Sequence, residues 1–251
     1  MPDYAGAVAY ETAIERKPGL HDLFLLAYYH LHVMRWFTWA LIALCFFVSG
    51  GILWLMVQIH YPLQYRQELS RFIMEAGAGL IACMIGGTLI VNDSGLELLL
   101  TSRQGIKQIL IMRMLISWCI PGFLAVLFAI WSLWLGVHYF QGFSWWRLFC
   151  MWFVPTWLYT QLSLLGALFT KQAMMGGVLG GSLLLLELFM KDLFLHQTQL
   201  LWIFVPISMW LPDAGIWWQS RALLFALGGL LMGCSWWWLQ REERLLGAII
   251  S

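Results

Sequence analysis

Charge is what this sequence has least of. Only 11% of its 251 residues are Asp, Glu, Lys or Arg, against 61% hydrophobic ones, a balance that argues against a soluble domain. The formal net charge is +1, and the charges gather only at the ends of apolar runs. That leaves no surface for nucleic acid, whose binding needs clustered cations to release counterions. Lysine is scarce in an informative way. A phosphate loop, G-x-x-x-x-G-K-[ST], places lysine directly after glycine. The four lysines, Lys17, Lys107, Lys171 and Lys191, follow Arg16, Ile106, Thr170 and Met190, so the chain cannot hold ATP in that way.

Paired cysteines are missing too. Cys45, Cys83, Cys119, Cys150 and Cys234 fall in separate apolar runs with no C-x-x-C spacing, which predicts reduced, buried thiols and no metal. His30 and His32 are two apart and point to different sides of a helix, whereas chelating pairs are spaced three or four. The first twenty residues carry Arg16 and Lys17 but no apolar stretch with a small-residue cleavage site, so no removable signal peptide is expected. No internal repeat is evident, and an inverted-repeat secondary transporter gains no support.

What is present is a series of long apolar runs. They predict an all-α polytopic membrane protein with six transmembrane helices at about 36–56, 72–91, 114–135, 148–170, 174–190 and 222–239. Residues 1–35 are a cytoplasmic lead-in ending in an interfacial helix over 20–35, residues 36–240 the transmembrane domain, and 241–251 a cytoplasmic tail. Two carboxylates sit near span ends. Glu75 is four residues after Arg71 and Glu187 four before Lys191, which predicts a partly wet pair in span two and a boundary pair closing span five. Gly177-x-x-x-Gly181 and Gly229-x-x-x-Gly233 clear side-chain bulk from a helix face, and both read as packing surfaces. Between the last two spans, residues 192–220 are too broken by Pro206, Pro212 and Asp213 to cross. A re-entrant or surface segment is expected there, with Trp210, Trp217 and Trp218 at headgroup level.

Six spans put both termini on one side. If that side is the cytoplasm it holds nine basic residues against five outside, the last being Arg66, Arg71, Arg147, Lys191 and Arg221. The positive-inside rule favours this orientation.

The most specific stretch is Val91 to Met114, a charged interruption between two apolar runs. Ser94-Gly95-Leu96-Glu97 fits a capping box, in which the Ser94 hydroxyl accepts from the Glu97 N–H and the Glu97 carboxylate reaches back. The helix it opens has a plausible stop at Gly105. It is too short to span a bilayer.

Gly95-x-Glu97-Leu98-Leu99-Leu100-Thr101-Ser102, followed by Gln108-Ile109-Leu110 and Arg113, resembles the segment joining spans two and three of ABC-2 type ABC transporter permeases, the transmembrane subunits of type V exporters. Arg103 stands where that family usually has proline, and Ile106 where it often has a basic residue. The resemblance implies a half-transporter without catalytic residues of its own. Two permease subunits, as a homo- or heterodimer, would face each other in the membrane lipid, with ATP and Mg bound by a separate ABC ATPase. It makes Ser94, Glu97, Leu98, Leu99, Leu100 and Arg103 an ATPase-docking, or coupling, helix. It also implies export of a hydrophobic or amphipathic substrate across the plasma membrane, here the bacterial inner membrane. Read from the residues alone, a membrane-embedded enzyme and a nonenzymatic membrane scaffold remain open.

Overall fold

Uncharged runs of this length have one economical way to satisfy their backbone polar groups in a hydrocarbon environment, the α-helix. The computed structural model describes residues 36–89, 106–139, 144–197, 202–203, 205–211 and 215–239. It is all-helical, with no strand among those residues. Helix α1 is Trp36–Gln58, α2 Leu63–Gly86, α3 Ile106–Trp134, α4 Trp145–Thr170, α5 Ala173–Phe189, α6 Lys191–His196, α7 Ile207–Trp210 and α8 Ile216–Leu239.

Five helices are long and apolar enough to cross a membrane, over Thr38–Gln58, Leu63–Gly86, Ile111–Trp134, Trp145–Thr170 and Ile216–Leu239. The expected fifth span of six, α5, has 17 residues, about 26 Å of helix at 1.5 Å per residue. Span two begins earlier than expected. The stretch expected to connect the first two spans, ending before residue 72, is reduced to a turn, because Pro62 opens a helix at Leu63 and its carbonyl accepts from Tyr65 N at 3.2 Å. The interfacial helix expected over 20–35 lies outside the described residues.

Helix α4 is the centre of the bundle. It packs on α2, α8 and α5, and less extensively on α3. Its start is capped by Ser144, whose side chain accepts from Arg147 N at 3.4 Å. Its end turns through Lys171 in the left-handed region, φ 57°, directly into α5. The α2–α4–α5 seam depends on missing side chains. Gly79 lies against the Tyr159 ring, Gly86 against the Thr160 carbonyl, Gly176 against Ser163 and Gly180 against Cys83. Ser163 Oγ adds a hydrogen bond to Cys83 O at 2.6 Å.

Both ends of the bundle are tied by arginines donating to carbonyls. At one end Arg71 Nε donates to Tyr139 O at 2.6 Å, holding the α3–α4 connection on α2. At the other, Arg113 Nη1 donates to Leu89 O at 2.7 Å, a cation at the carbonyl end of a helix, where the helix dipole favours it. All five cysteines are free thiols, but only Cys83 is buried. Cys45, Cys119 and Cys234 face outward, which corrects the expectation of uniformly buried thiols: an apolar run in a membrane helix has an outer face as apolar as its inner one.

Candidate functional site

Three charged side chains from three helices meet inside the bundle. Glu75 sits in α2, Glu187 in the last turn of α5 and Arg221 near the start of α8, with side-chain exposures of 0%, 3% and 2%. Charges so deeply buried are costly unless paired and hydrogen-bonded. Glu75 is presented by a single π-helical stretch, Ile73–Gly77, interrupting α2, a local widening that recurs at functional sites.

Arg221 Nη2 contacts Glu75 Oε1 at 2.5 Å and also donates to Val205 O at 2.8 Å. The same Glu75 Oε1 accepts the Ser208 hydroxyl, and its Oε2 accepts Ser208 N at 3.0 Å. Glu187 Oε2 accepts Val205 N at 3.2 Å. Trp217 Nε1 donates to Ser208 Oγ at 2.6 Å, and the Arg221 guanidinium lies 5.3 Å from the centre of the Trp217 ring, within cation–π range. Arg221 Nε and Nη1 have no hydrogen-bond partner among the described residues.

The groups held by these charges belong to residues 205–211, which turn into α7 and pack against the first turns of α2. Val205 and Ile207 are fully buried. Val205 joins the apolar cluster of Val154, Leu158, Tyr159 and Leu224, and Ile207 that of Met74, Phe128, Met151 and Trp217. The expected re-entrant or surface segment is therefore, over these residues, packed into the bundle. Chemically, the arrangement is a clamp: two carboxylates and a guanidinium grip backbone and hydroxyl groups of one short segment.

This site departs from what sequence spacing indicates. Glu75 is wholly buried rather than partly wet, and its 2.5 Å ion pair reaches across to Arg221. Glu187 bonds Val205 N, while Lys191 is exposed. Trp217, expected at headgroup level, is fully buried, whereas Trp218 is exposed. Spacing along one helix finds neighbours on that helix only. A usable signal did exist: with six alternating spans as expected from the sequence, Glu75, Glu187 and Arg221 all fall near the same side of the bundle.

Of the residues singled out by sequence, Ser94, Glu97, Leu98, Leu99, Leu100 and Arg103 lie outside the described residues. Gly177 is half-buried, and a Cβ there would come 3.8 Å from Cys83 O. Open space surrounds Gly181, Gly229 and Gly233. The tight contact inside the chain runs through the neighbouring register, Gly176 and Gly180, and on α8 through Gly228, which abuts the Trp157 indole.

The fold and this buried network define a class, an all-helical chain of multi-pass membrane character. No protein-family model, curated protein or solved structure matches the sequence.

Proposed function

We propose that this chain is the permease subunit of an ATP-driven exporter of the ABC-2 type, working as half of a dimer with a separate ATPase that binds ATP and Mg. The observation that carries the reading is the bond from Arg113 to Leu89 O. These two residues flank the segment resembling the docking helix of such permeases, and that segment follows two helices able to cross a membrane. With its two stems pinned together, a push on the segment moves α2 and α3 as one body, as transmission of an ATPase stroke requires.

In this reading α5 also crosses, as the fifth of six spans, at the short limit for a spanning helix. Both termini are cytoplasmic, in a bacterial inner membrane, so the Glu75–Arg221 network lies toward the outer side. The second subunit covers apolar surface that the chain leaves bare. Only 11% of the residues along the apolar stretch of α1 and 22% along that of α8 are buried, and Gly229 and Gly233 lie on the open part of α8. The cargo is hydrophobic or amphipathic.

Affinity purification in mild detergent should bring down an ATPase carrying a phosphate loop. Glu97→Ala removes half of the reciprocal cap expected from the sequence, worth about 0.5 to 2 kcal/mol, and Leu99→Asp puts a charge into the proposed docking segment. Both are expected to reach the membrane at normal levels but to lose ATPase association at matched expression. Unchanged association and unchanged coupled transport in both would overturn the docking role.

Arg113→Met keeps an apolar stem in a site only 2% exposed and removes the tie to Leu89. The expected result in proteoliposomes is a several-fold fall in transport per ATP hydrolysed, with the ATPase still bound. An unaltered ratio would contradict transmission through this bond.

A further inference from the structure

We propose that residues 205–211 are a gate over one end of the bundle, and that Glu75, Glu187 and Arg221 are its latch. Three observations carry this. First, the latch grips main chain: Val205 N and O and Ser208 N are held by charged groups from α5, α8 and α2. The segment is thus fixed only while those three helices keep their present spacing.

Second, the latch atoms are shared. One Arg221 nitrogen holds both Glu75 and the Val205 carbonyl, and one Glu75 oxygen holds both Arg221 and the Ser208 hydroxyl. Charge-assisted bonds weaken steeply with distance. A shift of α8 away from α2 breaks the helix pair and, in the same movement, takes Arg221 from the Val205 carbonyl and Trp217 from the Ser208 hydroxyl, leaving the segment on Glu75 and Glu187 alone. The main packing partner of α8 is α4, which leaves that shift open to it.

Third, the segment plugs what it covers. Val205 and Ile207, two residues apart, drive into two different apolar clusters, and Pro206 between them is buried as well. Lifting the segment removes both plugs and uncovers the Glu75, Glu187 and Arg221 side chains at the end of the bundle. Closed, the gate keeps water and cargo out; open, it offers a polar-floored exit. The gate rests on the permease reading for what passes through it, though not for its mechanics.

Hydrogen–deuterium exchange on the full-length protein in lipid nanodiscs tests it, read on peptides covering 205–211 with α4 peptides as the internal reference. Two variants are used. Ser208→Ala removes the segment's hydroxyl and leaves the Glu75–Arg221 pair in place. Glu75→Gln with Arg221→Met removes the two paired latch charges together, so that neither is stranded by loss of the other, and leaves Glu187 on Val205 N. The wild type is expected to exchange slowly over 205–211. Each variant should exchange there at least tenfold faster, with α4 protection unchanged. Wild-type protection of 205–211 in both variants overturns the gate, and Ser208→Ala decides alone if the double variant does not reach the membrane. No ATPase is present in this measurement, so its failure removes the gate and leaves the permease reading intact. Loss of ATPase association in the docking variants leaves the exchange result untouched.

Discussion

Replacing Arg221 with methionine is expected to cost about 3 to 5 kcal/mol of stability, the usual consequence of leaving one member of a buried ion pair without its partner. The loss is large because Glu75 has no route to water: it is 0% exposed and would keep only its bonds to Ser208. Glu75→Gln alone strands Arg221 in the same way, and that guanidinium already has two donors without partners among the described residues. The double variant should be closer to wild type than either single one, since an apolar or neutral pair of similar volume often replaces a buried ion pair at little cost. Unfolding midpoints in an SDS titration of the four proteins close the double-mutant cycle. Additive effects would mean that the two side chains are held by their surroundings and not by each other.

The second large effect concerns glycine. Alanine at Gly176 is expected to destabilise by about 1 to 3 kcal/mol, in the range of overpacked cores, because the new methyl would meet the Ser163 backbone carbonyl, which cannot rotate away. Gly180→Ala should behave similarly, pressing on Cys83. Alanine at Gly181, Gly229 or Gly233 meets nothing within 4 Å and should change stability by less than about 0.5 kcal/mol, as surface substitutions do. The same titration measures all five. If Gly229 and Gly233 belong to a dimer seam, Gly229→Leu lowers the dimer fraction in cross-linking without moving the unfolding midpoint. Equal destabilisation at Gly176 and Gly181 would contradict the observed helix rotation.

That contrast shows how far the pattern of residues reaches. A G-x-x-x-G spacing announces that a helix face has been cleared for close approach, and α5 carries two such pairs in adjacent registers, Gly176/Gly180 and Gly177/Gly181. Which pair turns inward depends on the rotation of α5 against α2 and α4, set by the fit of Ser163 and Cys83. No local feature of α5 records it. The cysteines teach the same lesson: Cys83 and Cys119 both lie in apolar runs, yet one is buried and the other exposed.

The sequence by itself determined the helical class, the membrane character and the limits of α1, α4 and α5, because hydropathy and length act locally and a backbone in hydrocarbon has few alternatives; α2, α3 and α8 begin earlier than their apolar runs, at Leu63, Ile106 and Ile216. It also placed Arg113 at the end of a distinctive segment. Only the tertiary structure decided the partners of the charges. Glu75 and Arg221 are 146 residues apart in the chain, and an i, i+4 neighbour such as Arg71 is the nearest partner that helical periodicity can offer. Arg71 does act on Glu75, but a charge turned inward must also be matched by whatever faces it across the bundle, and the facing residue is fixed by how the helices pack.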